Sequence, residues 1–176
     1  MLTFSVFGIL RAISFYKSGK QQQVIIYNAA GRLAMDIVAG RNTVYFGDPE
    51  VITTKQSFNF NIKPARVISR LRPVDSMDGL HISRNIIDFR GLHILIAGHS
   101  MNYKPPANKQ TIDILVVSGN PRLFISKLNN ILHFKQVIFL GTAPAYKLKY
   151  WKQDCDSLNI PYHELNVKGA FVLKSW

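Results

Sequence analysis

The chain is short of acidic residues, of cysteine and of clustered histidine, and each shortage bears on function. It has 176 residues, with 10 Asp and Glu against 22 Lys and Arg, for a formal charge of +12. Residues 1–110 carry fourteen Lys/Arg and six Asp/Glu, and residues 111–176 carry eight and four, so the excess is no detachable basic tail. A charge of this size points to a polyanion partner, nucleic acid or an anionic lipid surface, or else to plain solubility. The single cysteine, Cys155, excludes a disulfide framework. It falls on the apolar stripe of a helical pattern, which argues against a Cys–His nucleophile. The five histidines, at 81, 93, 99, 133 and 163, form no cluster and no Ser-His-Asp arrangement. Neither a Gly-x-Gly-x-x-Gly fingerprint nor a P-loop occurs, and there are no repeats or low-complexity tracts.

What the chain does have is concentrated in its last third. Ile112–Val117 and Gln136–Leu140 are nearly unbroken apolar runs, the mark of strands buried on both faces of a parallel sheet. Each run leads to a glycine and then a proline, in Ser118-Gly119-Asn120-Pro121 and Gly141-Thr142-Ala143-Pro144. Asn120 and Thr142 can supply side-chain oxygens near the helix starts. A first helix carries Phe124, Leu128 and Ile131 as its core stripe. A second carries Leu148, Trp151, Cys155 and Leu158 beneath a charged face of Lys147, Lys152, Asp154 and Asp156. Two such turns share one edge of a parallel sheet, the edge where ligands bind in open α/β folds. Pro161–Asn166 and Ala170–Leu173 read as a closing hairpin around Lys168-Gly169.

The earlier part reads as strands. Val24–Tyr27, Leu33–Val38 and Thr43–Phe46, joined by Gly-containing turns, form an antiparallel meander. Asp48-Pro49-Glu50 opens a short helix with Asp48 as its cap. Phe58–Met77 has no legible period but carries Lys63, Arg66, Arg70 and Arg72. Gly79–Ile82, Asn85–Phe89 and Leu92–Ile96 form a second set of strands, and His99–Gln110 is a polar loop. Met1–Tyr16 is apolar, shorter than the ~20 residues a spanning helix needs and interrupted by Arg11. It reads as the end of a membrane helix, an interfacial helix, or a helix docked on the domain.

Val-Ile-Ile-Tyr-Asn-Ala-Ala-Gly-Arg-Leu-Ala-Met-Asp-Ile-Val-Ala-Gly-Arg-Asn (Val24–Asn42) resembles the opening of the soluble C-terminal domain of ComEC-type competence proteins, the membrane channels of DNA uptake. Ala145–His163 and Lys168–Leu173 resemble the closing segment of a divergent branch of that family. The likeness spans Val24 to Leu173. It implies an α/β fold, a metallo-β-lactamase-like αββα sandwich, complete or incomplete. Residues 1–20 would then be the remnant of, or anchor to, a membrane helix, and 21–176 the domain.

Active members of that fold hold two metals with a His-x-His-x-Asp-His cluster and two further histidines, because imidazoles and carboxylates must converge around an open water position. Here the corresponding stretches read Arg70-Leu71-Arg72-Pro73-Val74-Asp75, Ser118-Gly119-Asn120 and Gly141–Tyr150, none with a histidine. The resemblance therefore implies a degenerate site without metal or other cofactor. Its vestigial edge comprises Asp48, Asp75, Ser118, Gly119, Asn120, Gly141 and Thr142. The chain is expected to be no enzyme.

Arg66, Arg70 and Arg72, with Lys147, Lys149 and Lys152, are the candidate contacts to single-stranded DNA, and Tyr103, Tyr146 and Tyr150 could stack on bases. The expected function is to hold or guide single-stranded DNA, or to pack on the channel, during natural transformation. The alternatives are a phosphodiesterase with a non-standard metal site and a purely structural domain. Lys17 and Lys20 would place the domain in the cytoplasm by the positive-inside rule. The resemblance implies the outer face of the cytoplasmic membrane, which is the expectation adopted.

Overall fold

The computed structural model describes residues 6–7, 11–12, 15–16, 18–98 and 110–174. The chain is mixed α/β, with two mixed sheets and several helices. It divides into two units, residues 1–26, 34–77 and 172–176 in the first, and residues 27–33 and 78–171 in the second.

In the first unit β1 (Gln22–Ile26), β2 (Ala34–Ala39) and β3 (Asn42–Gly47) form the expected antiparallel meander. β4 (Arg72–Pro73) joins β3 in parallel, and β11 (Phe171–Lys174) lies beside β1. The meander follows from its composition: Val24, Ile26, Ile37 and Val38 are fully buried, so register errors would expose them. Asp36 is the exception, a fully buried carboxylate in the central strand. Arg66 meets it with two parallel hydrogen bonds of 2.7 Å, Nε to Oδ2 and Nη2 to Oδ1. Beside Asp36 in register stands Tyr45, whose hydroxyl is pushed up to about 12 by burial and by the Asp48 and Asp36 charges.

Arg66 comes from a broken helical run, Pro49–Thr53, Lys55–Ser57, a π-helical turn Phe58–Ile62 and Lys63–Ile68. Pro64 has no N–H to donate one turn back, and just before it the Lys63 N–H bonds the Phe58 carbonyl with π spacing. That irregularity is why Phe58–Met77 shows no period in the sequence. Asp48 stands at the N-cap position of Pro49–Thr53 but makes no side-chain capping bond, contrary to expectation.

The N-terminal segment is helical at residues 6–7, 11–12, 15–16 and 18–20. Among the described residues no helix is long and apolar enough to cross a membrane. Much of the Met1–Tyr16 expectation falls outside the described residues. Near its end Phe15 lies under the Arg70 guanidinium at 4.1 Å, and Gln21, just beyond it, bonds the Gly40 and Ser69 carbonyls.

The second unit holds β5 (Leu80–Ser83), β6 (Ile86–Phe89) and β7 (Leu92–Ala97), antiparallel to one another. β8 (Gln110–Val117), β9 (Leu132–Phe139) and β10 (Tyr162–Glu164) continue in parallel, giving the order β10-β9-β8-β7-β6-β5. Helices Ile125–Ile131 and Ala145–Ser157 cover the sheet. Ile125, Trp151 and Cys155 enter one core with Leu115, Phe134 and Phe139, and the Trp151 ring stacks on Phe139 at 6.0 Å. The loop expected over His99–Gln110 lies outside the described residues except Gln110, which opens β8.

Two expectations are corrected here. The closing hairpin does not form, because β10 pairs with β9, the helix Leu165–Lys168 follows, and β11 joins the other sheet. Phe124 is 58% exposed rather than core, because the helix begins one residue later and Ile125 takes the buried position.

The Asp36–Arg66 pair yields a direct prediction. Arg66→Met leaves a buried carboxylate without its counter-charge, and chemical denaturation should show a loss of about 3–5 kcal/mol. An Asp36→Asn, Arg66→Met double variant should recover part of that loss.

Candidate functional site

Because β8 and β9 are parallel neighbours, with Val117 opposite Phe139, both strand-to-helix turns emerge at one edge, as the glycine-proline pattern predicts. Ser118 N–H is spent on the Ala97 carbonyl at 2.8 Å and Leu140 N–H on that of Val117 at 3.1 Å. Thr142 does not serve the helix that follows it. Its Oγ1 accepts the Gly119 N–H at 3.0 Å and so ties one turn to the other. Asn166 Nδ2 donates to the Gly141 carbonyl at 3.1 Å from the far side of β10. Asn120 is exposed and makes no cap, since the first helix begins five residues later with Phe124 at its N-cap position.

The edge is also filled. Gly31 has φ +79, and a Cβ placed there would land on Thr142 Cγ2. Gly141, at φ +68, has Asn166 where its Cβ would be. Hydroxyl, amide and backbone groups therefore fill this edge. Ser118, Asn120 and Thr142 are poor ligands for a transition metal. Among the described residues no three His, Cys, Asp or Glu side chains are grouped to hold a cation. The donor set does not fit the dinuclear centre that the resemblance implies. Asp48 and Asp75, both exposed, belong to the first unit, whereas Ser118, Gly119, Asn120, Gly141 and Thr142 belong to the second.

The six candidate cations have different fates. Arg66 is committed to Asp36, and Lys152 pairs with Glu164. Lys147 reaches the Pro121 carbonyl at 3.3 Å. Arg70 lies over the Phe15 ring at 4.1 Å, while Arg72 and Lys149 are exposed. Tyr146 and Tyr150 are 61% and 62% exposed on the same helix as Lys149; Tyr103 lies outside the described residues. Sequence reasoning could not find Asn166, because its bond to Gly141 spans 25 residues with no shared local pattern.

His99 lies outside the described residues, and among those described no histidines are grouped with other ligands to hold a metal. His133 is exposed on β9, and His163 meets the Gly169 carbonyl at 2.9 Å. His93 stands between two carboxylates, 3.6 Å from Asp88 and 3.5 Å from Asp113, and Lys135 bonds Asp113 at 2.7 Å. Burial alone would raise the Asp113 carboxyl. The His93 backbone N–H and the Lys135 ammonium outweigh it and hold the group below the ordinary carboxylate range. Burial, with Asp154 and Asp156 nearby, pushes the Cys155 thiol up to about 12, so no nucleophilic thiolate forms there.

Two predictions follow from this packing. Gly31→Ala should cost about 1–3 kcal/mol through overpacking, and Thr142→Ser, which deletes the opposing methyl and keeps the hydroxyl, should recover part of it in a double-mutant cycle. Asp113 has a depressed pKa in the fold, so its contribution is present above the ordinary carboxylate range and is lost as pH falls through the folded value. Asp113→Asn should therefore lower stability at neutral pH and flatten the acid limb of a pH–stability curve.

Comparison with curated proteins finds no match, and comparison with solved structures finds none. A family model does match: that of the ComEC C-terminal domain, over residues 24–175. This is nearly the whole chain, so the chain belongs to the ComEC C-terminal domain family, which ties it to DNA uptake in competence and to a membrane-associated protein.

Proposed function

We propose that this domain is a non-catalytic module that holds single-stranded DNA weakly and without sequence preference during uptake, using no metal or other cofactor. The observation that carries the reading is the solvent-facing arc of Ala145–Ser157. Tyr146 and Tyr150 stand well exposed there beside Lys149, while Trp151 and Cys155 bury the opposite side. The two phenol rings are thus surplus to packing. Every base has a π-face, so exposed rings stack on any sequence, worth about 1–3 kcal/mol per base.

A further exposed aromatic with its own cation lies in the same unit. Lys127 lies 4.8 Å over the ring of exposed Phe124. The segment around Phe124 is tied to the helix Ala145–Ser157 by Trp151 Nε1 to the Leu123 carbonyl at 3.1 Å and by the Ser126 N–H to Asp154 at 3.0 Å. The hydrogen-bonded, filled edge at Gly119, Gly141 and Thr142 supports the non-catalytic half of the reading. Following the family resemblance, the domain works at the outer face of the cytoplasmic membrane.

Titration of a labelled oligothymidylate at low salt tests this. Tyr146→Ala with Tyr150→Ala should weaken binding about tenfold or more. Lys149→Ala should reduce the slope of log K against log salt by about 0.7. No binding at low salt, or full binding by the double tyrosine variant, would leave a domain that only packs on its channel.

A further inference from the structure

The first unit carries a second cationic cluster that the DNA reading does not use, and it sits where the apolar N-terminal segment joins the fold. Arg41 and Arg70 both lie over the Phe15 ring, at 5.6 and 4.1 Å. Arg72 donates its N–H to the Arg41 carbonyl at 2.7 Å, which fixes β4 against the end of β3. Gln21 bonds the Ser69 and Gly40 carbonyls at 2.9 and 2.8 Å, and Lys20 lies 4.5 Å over the exposed Tyr16 ring. Among the described residues no carboxylate pairs with Lys20, Arg41, Arg70 or Arg72. Arg70 Nη1 is buried with no hydrogen-bond partner. Arg70 also holds φ +54 at the close of helix Lys63–Ile68, where glycine would be unstrained, so the side chain is kept at a conformational cost.

The helical run that ends next to Arg70 also exposes apolar side chains. Ile68 is 82% exposed, Val67 65% and Phe60 76%, and Ser69, bonded to Gln21, separates Ile68 from Arg70. Guanidiniums without a carboxylate partner, next to outward-facing aliphatic side chains, suit one kind of surface, a bilayer with anionic headgroups. The guanidiniums donate their remaining N–H groups to phosphodiester oxygens, with Arg72 the most open of them, and Val67, Ile68 and Phe60 enter the acyl boundary. A DNA strand would satisfy the cations but would leave the aliphatic side chains against water, and Phe15 has Arg70 over its ring instead of a free face for a base. We infer that Lys20, Arg41, Arg70 and Arg72, with Phe60, Val67 and Ile68, form a membrane-contact site that binds the phosphate groups of anionic lipids.

Co-sedimentation of the full 176-residue chain with phosphatidylcholine vesicles, with and without phosphatidylglycerol, tests the assignment. The readout is the preference for the anionic vesicles, so any affinity of Met1–Tyr16 for neutral lipid cancels. Each charge removed should cost about fivefold of that preference, so an Arg41→Gln, Arg70→Gln, Arg72→Gln variant should lose about a hundredfold. Arg72→Gln alone, at an exposed position whose side chain supports no packing, should lose about fivefold even if the triple variant folds poorly. Val67→Gln with Ile68→Gln should lower binding to both vesicle types. Equal partition of the unaltered chain onto the two vesicle types would overturn the site, as would undiminished preference in Arg72→Gln. If the triple variant instead loses oligothymidylate binding and keeps its lipid preference, the cluster is a nucleic-acid contact.

Discussion

The pairing of β8 with β9, both buried on their two faces over their C-terminal halves, is the constraint on which the second unit depends. Parallel strands need a crossover, and the crossover helix must return over the sheet, so Ile125 is carried into the same core as Phe134 and Phe139. The helix after β9 adds Trp151 and Cys155 to that core. The same parallel sense brings the Gly119 and Gly141 turns together. Once adjacent, their polar groups have to be satisfied, and Thr142 and Asn166 do so from within the protein. The edge that the fold class would offer to a ligand is thereby occupied by the chain itself.

Charge in this protein is divided between internal and external use. Arg66 neutralises the buried Asp36, Lys152 neutralises Glu164, and Lys135 neutralises Asp113. These cations hold the two sheets and the long helix in place. Among the described residues Lys149, Arg72 and Lys20 make no such pair, and they stand beside exposed aromatic or aliphatic side chains. Net charge alone does not separate the two groups. A bare count of basic residues in Phe58–Met77 treats Arg66 and Arg72 alike, although one is buried in an ion pair and the other is open to solvent.

Family membership and geometry address different levels of function. The match to the ComEC C-terminal domain over residues 24–175 connects the chain to DNA uptake and to a membrane-associated protein. It assigns no side chain a task. The tasks proposed for the Tyr146–Tyr150 arc and for the Arg41–Arg72 cluster rest on exposure, spacing and charge within separate units, so each stands or falls by itself.

By itself the sequence determined the strands, their approximate order and the shared edge, because burial on one or both faces imposes a period of two or an unbroken apolar run. It determined the Trp151/Cys155 stripe for the same reason, at helical spacing. Only the tertiary structure decided the partners. The parallel docking of β10, the passage of β11 to the other sheet, the bonds from Arg66 to Asp36 and from Asn166 to Gly141, and the exposure of Phe124 join residues far apart in the chain or turn on a one-residue helix boundary. Local patterns record whether a side chain is buried, since hydrophobic burial is non-directional. Which group it meets there depends on hydrogen-bond and ion-pair geometry, and that exists only once the sheets have formed.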